Sequence, residues 1–300
     1  MGGQFLQIVS NNSLSLFLWR LCRDKPLGAV GALVCIIFIF SGLFADWIAP
    51  FDYNEMNPQD RLQSPSFAYF FGTDQIGRDV FSRIVYGART SMVIGFAVAL
   101  LSILISIFLG VLSGYFGGKL DMVLQRLVDA WMSFPDLVVV IVAVSVLGPG
   151  KIQIILILSL LYGIAGSRII RGAVMGVREN DYVKAADSIG VTTTMIMIRH
   201  IIPNILAPVS VLFTTRLAAT ILVEAALSFL GLGVPPPEPS WGSMLSFEGR
   251  SYMFQAPWLA IIPGIVITIV VYNINMFGDA IRDLLDPRMR GSGRRQLISQ

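Results

Sequence analysis

Six stretches of this chain are apolar for long enough to cross a lipid bilayer, and that property leaves few folds open. A spanning helix needs about 20 mostly apolar residues. Inside lipid its backbone N–H and C=O groups must be satisfied within the segment itself. The candidate spans are 27–45, 92–114, 128–147, 152–168, 205–227 and 259–278. The third is interrupted by Pro135 and Asp136, the fifth carries Arg216 and Glu224, and the sixth contains Pro263. Composition agrees. Of the 300 residues 55% are hydrophobic and 14% charged, against about a quarter charged in an ordinary soluble domain. The expected fold class is all-α integral membrane, with six transmembrane helices. The first apolar run exceeds the roughly 7–15-residue core of a signal peptide and starts late, so it is expected to stay as an anchor.

Charge placement predicts the orientation. With the N-terminus inside, six spans return the C-terminus inside. The inner segments then hold fifteen of the 22 Lys and Arg, including Arg168, Arg171, Arg178, Lys184 and Arg199 between spans four and five. Basic residues favour the cytoplasmic side. Both termini, and the loop at about 169–204, are therefore expected in the cytoplasm. The organisation reads as a cytoplasmic segment 1–26, a first span with its external loop 27–91, a core transmembrane domain 92–280, and a basic tail 281–300. Arg288 to Arg295 in that tail suit anionic lipid headgroups. The net charge of +3 gives no specific case for nucleic acid.

Several kinds of chemistry are disfavoured. Cys22 and Cys35 are too few for a disulfide framework or a zinc site. His200 is the only histidine, and a catalytic metal needs several protein ligands. No phosphate-binding G-x-x-x-x-G-K-[ST] loop occurs, since Gly148-Pro149-Gly150-Lys151 has the wrong spacing and no following Ser or Thr. No paired aspartates on facing spans suggest an intramembrane enzyme.

The loop "DYVKAADSIGVTTTMIMIRHIIPN", Asp181 to Asn204, is too polar to span and too regular to be loose. Asn180 or Asp181 can cap a helix with a side-chain oxygen. Val183, Ala186 and Ile189 follow near helical spacing, and Gly190 ends that helix. A threonine from Thr192 to Thr194 can cap a second helix with Met195, Ile198 and Ile202 on one side. Pro203 ends it or bends it into span five. Ala185 and Ala186 are expected to leave a smooth surface for close approach. From the residues alone this is either a connector on the lipid headgroups or a docking site for a cytoplasmic partner.

The pattern Ala185-Ala186, Gly190 and, after nine residues, His200-Ile201-Ile202-Pro203 resembles the "EAA" loop of bacterial ABC importer permeases. It departs from that motif at Lys184, where the family usually has glutamate, and at His200 and Ile202. Three further stretches resemble the dipeptide, oligopeptide and nickel group of that family: Phe71 to Ser91, Leu227 to Leu245, and Phe277 to Arg290. Within the group the similarity is to the second permease subunit. The resemblance implies a type I ABC importer permease fold in a bacterial or archaeal cytoplasmic membrane. It implies a second permease, two cytoplasmic ATPases that hydrolyse the ATP, and an external substrate-binding protein, with no cofactor bound by this chain. It also implies that the loop couples to an ATPase through Ala185, Ala186, Asp187, Gly190, His200 and Pro203. Substrates remain open among dipeptides, longer peptides, glutathione-like peptides and nickel chelates.

Charges inside spans are costly and face a cavity or a partner. Arg216 and Glu224 lie two helical turns apart and can pair or face the translocation path. Asp136 can line the path or cap a helix resumed after Pro135. In the external loop, Arg78 to Arg89 reads as an amphipathic helix with an Asp79–Arg83 pair. A secondary transporter or channel, coupled through Glu224, is the rival function.

Overall fold

The computed structural model describes residues 19–285, so the basic tail from Arg288 to Arg295 lies outside the described residues. Among these residues every extended element is helical. Five helices are long and apolar enough to cross a bilayer, or six if a bent pair is counted as one span. They are α1 (Pro26–Leu43), α2 (Val80–Phe116), the bent pair α3 (Gly118–Met132) and α4 (Asp136–Leu147), and α5 (Lys151–Arg178). After α6 (Asp181–Ser188) in the intervening loop come α7 (Leu206–Phe229) and α8 (Trp258–Leu285).

The third span is not one straight helix. α3 and α4 meet at 82°. Pro135 lacks an N–H and drives the residue before it out of helical geometry, so the backbone turns there and restarts at Asp136. α3 is amphipathic: Asp121, Gln125 and Asp129 recur four apart along one face. Arg171 on α5 donates two hydrogen bonds of 2.6 Å to Asp121, and Arg168 pairs with Asp129.

Small residues let the long helices approach. Gly110 and Gly114 of α2 form a G-x-x-x-G face. A Cβ at Gly110 would lie 2.7 Å from the Cβ of Ile170, and one at Gly114 would lie 2.8 Å from the Arg171 carbonyl. Lipid tails are as apolar as leucine, so membrane helices associate through such close packing. The Ser106 hydroxyl donates to the Gly163 carbonyl across this contact at 2.9 Å. α1 packs on α8, where Gly31 abuts the Asn273 carbonyl and Lys25 pairs with Asp283 at 2.5 Å.

The segment between α1 and α2 is folded against the bundle. One carboxylate oxygen of Asp74 accepts from the backbone N–H groups of Ile76 and Arg78, both at 2.9 Å. The helix expected from Arg78 begins instead at Val80, because Asp79 is its N-cap. Its Oδ2 accepts from the Ser82 N–H and hydroxyl, each at 2.7 Å. The expected Asp79–Arg83 pair does not form, since Arg83 reaches Glu248 at 3.0 Å. Trp241, buried at 1% exposure, closes this end by donating its indole N–H to the Ile84 carbonyl at 2.9 Å.

Candidate functional site

α6 and the turn after it form a hook. Gly190 stands at φ +81° with nothing within 4 Å of where a Cβ would sit, so backbone conformation and not space calls for glycine there. The Gly190 N–H donates to the Asp187 carbonyl at 3.0 Å and the Val191 N–H to the Ala186 carbonyl at 3.1 Å. These are the two bonds of a Schellman termination, which satisfies the helix's last carbonyls. The start of α6 differs from expectation. Asn180 occupies the cap position, but its amide donates back to the Val177 carbonyl at 3.0 Å and makes no side-chain cap. Asp181 in the first turn faces the positive end of the helix dipole.

Thr192 precedes the second arm, also without a side-chain cap, and Pro203 does not end it. The helix runs from Thr193 to Phe229 with a widened turn over Met197–Ile201 and a tight one over Ile202–Ile205. A proline ring clashes with the carbonyl four residues earlier. The wider turn ahead of Pro203 accommodates it, and the Asn204 amide donates to the His200 carbonyl at 2.6 Å. The His200 and Tyr182 rings lie 6.1 Å apart and join the two arms.

The faces of the hook are sharply different. Val183 and Ala186 are buried with Ile196, Ile201 and Ile205, in one cluster with Ile170 and Val174 of α5. Ala186 is only 7% exposed, so of the two alanines Ala185 alone faces outward. The expected smooth two-alanine surface is therefore corrected: Ala186 anchors the hook, because α6 must bury one side against the spans. Tyr182, Asp187, Met195 and Ile198 are also exposed. At the tip Ile189 is 81% exposed. Lys184 donates to Glu179 at 3.0 Å, which holds the Glu179 carboxyl below the usual range. An apolar tip on a rooted, polar-flanked hook has the form of a docking element. Among the described residues no group of three or more His, Cys, Asp or Glu could hold a metal ion.

Residues 106–291 match the family described as binding-protein-dependent transport system inner membrane components. The chain belongs to this family. Residues 14–65 match the N-terminal membrane domain of oligopeptide transport permease C. The permease is 39% identical to the dipeptide transport system permease protein DppC of Alkalihalophilus pseudofirmus, over 89% of this chain and 88% of that one. It is 36% identical to the oligopeptide transport system permease protein OppC of Bacillus subtilis, over 94% and 93%. With the glutathione transport system permease protein GsiD of Escherichia coli the identity is 37%, over 91% and 90%. Its fold matches the inward-facing MetNI methionine ABC transporter with a TM-score of 0.55 at 18% identity, covering 68% of this chain and 96% of that one. It is a membrane-spanning permease component of an ABC importer, with the type I importer fold.

The three intramembrane charges of this permease are not brought together. Arg216 and Glu224 do not pair. Glu224 is 1% exposed and accepts from the Ser228 hydroxyl at 2.7 Å, while the Ser240 hydroxyl donates to that of Ser228 at 3.1 Å. Packing against the segment before the last span thus takes up Glu224. Arg216 instead lies over the Tyr162 ring, 4.6 Å from its centroid. Asp136 is exposed in the first turn of α4.

Sequence reasoning missed a buried tetrad. Arg78 binds Asp74 and Glu248, each at 2.5 Å, and Arg83 binds the same Glu248 oxygen at 3.0 Å. Two cations and two anions cancel. The motif from Phe71 flags three of them, but Glu248 is 170 residues from Arg78 and carries no local signal.

Proposed function

We propose that this permease is one of two non-identical membrane subunits of an ATP-driven importer of short peptides. It works with two cytoplasmic ATPases and an external binding protein. It does no chemistry of its own and binds no cofactor; ATP is hydrolysed by the partner subunits. The observation that carries the coupling role is the hook: Ile189 protrudes at 81% exposure from a helix whose other side is rooted among the spans. A push on that tip is delivered to the start of α7 through the tight and widened turns around Pro203. ATP-driven closure of the ATPases can then shift the permease between its two access states through differential contacts. The positive-inside bias supports cytoplasmic termini and a cytoplasmic hook. The peptide assignment rests on relatives named for dipeptides, oligopeptides and glutathione.

The test is co-purification in mild detergent of the tagged permease with its ATPases, followed by uptake in proteoliposomes. Ala185→Arg is expected to fold normally, lose the ATPases and abolish uptake. Retention of both by a folded Ala185→Arg protein would remove the docking role.

A further inference from the structure

Arg216 lies near the middle of α7, about 15 Å along it from Leu206 at roughly 1.5 Å per residue. An arginine at the centre of a span is costly to insert, so it faces a partner or a water-filled cavity. The counter-ion that its own helix offers, Glu224, is bound to Ser228. The Nε of Arg216 is buried and has no hydrogen-bond partner. Behind it stands the Tyr162 ring, itself buried, in cation–π contact with the guanidinium. The guanidinium is thus braced by an aromatic ring and, among the described residues, forms no ion pair. Its planar fork fits a carboxylate with two parallel hydrogen bonds.

Every short peptide carries a C-terminal carboxylate whatever its side chains. We infer that Arg216 receives the C-terminal carboxylate of the solute on its way through the membrane, with Tyr162 positioning the guanidinium. This rests on the peptide-importer reading. It adds a contact inside the path that is blind to side chains, suited to a transporter of peptides of many sequences.

The experiment uses the complete importer in proteoliposomes, with Cys22→Ser and Cys35→Ser as the parent, and trialanine as the probe. Arg216→Cys is expected to lower trialanine uptake about tenfold, the scale of a lost charged hydrogen bond. A water-soluble thiosulfonate bearing a quaternary ammonium should then restore much of that uptake, and one bearing a sulfonate should not. An unreactive introduced thiol, or equal effects of the two reagents, would overturn the inference. If Arg216→Cys fails to assemble, Arg216→Lys and Arg216→Gln decide the matter. Lysine keeps the charge but loses the fork and the stacking, so it is expected to fall between arginine and glutamine, with glutamine losing about tenfold, and equal uptake by the two would overturn it. Failure of the parent itself to import trialanine would reject the peptide reading, whereas reactivity of the introduced thiol still reports whether water reaches position 216.

Discussion

At the scale of single residues, burial separates positions that look alike in the sequence. Ala185 and Ala186 are neighbours of the same type, yet one faces outward and the other is packed beneath α6. Ala186→Arg is expected to destabilise the permease by several kcal/mol, since it buries an unpaired charge. Ala185→Arg should leave the unfolding temperature in detergent unchanged, and thermal unfolding of the two variants side by side checks this. The buried tetrad gives a second contrast. Arg78→Ala leaves the carboxylates of Asp74 and Glu248 short of one cation in a buried site, a loss of about 3–5 kcal/mol. The exposed, solvent-screened Lys184–Glu179 pair should give almost nothing when Lys184→Ala removes it. A like drop in unfolding temperature for Arg78→Ala and Lys184→Ala would contradict the burial assigned to the tetrad.

At the scale of elements, glycine serves two purposes. Gly190 is needed for its positive φ. Alanine there costs about 1–2 kcal/mol in the left-handed region, which Asn visits more easily. Gly190→Ala should therefore weaken ATP-driven uptake more than Gly190→Asn, with the assembled complex intact in both. Gly110 is needed for space, being pressed against Ile170. Gly110→Leu is expected to push α2 from α5 and prevent recovery of folded protein, seen as a lost monodisperse peak in size-exclusion chromatography. The six spans were legible because apolar runs of that length have few alternatives in lipid. The bend at Pro135 was legible as an interruption, but its 82° angle was not. Proline marks where a helix ladder breaks, whereas contacts of α3 with Arg168 and Arg171 help set where the chain then goes.

Over the whole molecule, orientation is open to a direct check. Ile189 and Phe254 are exposed at opposite predicted ends, 81% and 96% respectively. In the Cys22→Ser, Cys35→Ser parent, Ile189→Cys should react with an impermeant maleimide only in inside-out vesicles. Phe254→Cys should react only in intact cells or spheroplasts with the outer face presented. The reverse pattern would place the hook outside and end its proposed coupling role.

The sequence by itself determined the membrane class, the positions of five spanning helices, the polar hook with its glycine break, and the family to which the motifs point. These are local properties: apolar length, charge bias and residue spacing act over tens of residues at most. Tertiary structure alone decided that Ala186 is an anchor, that Glu224 is occupied by Ser228 and Arg216 by Tyr162, and that Glu248 completes a tetrad with Arg78. Each depends on which distant surfaces meet, and a residue's partner across 170 positions is fixed by packing that no local pattern encodes.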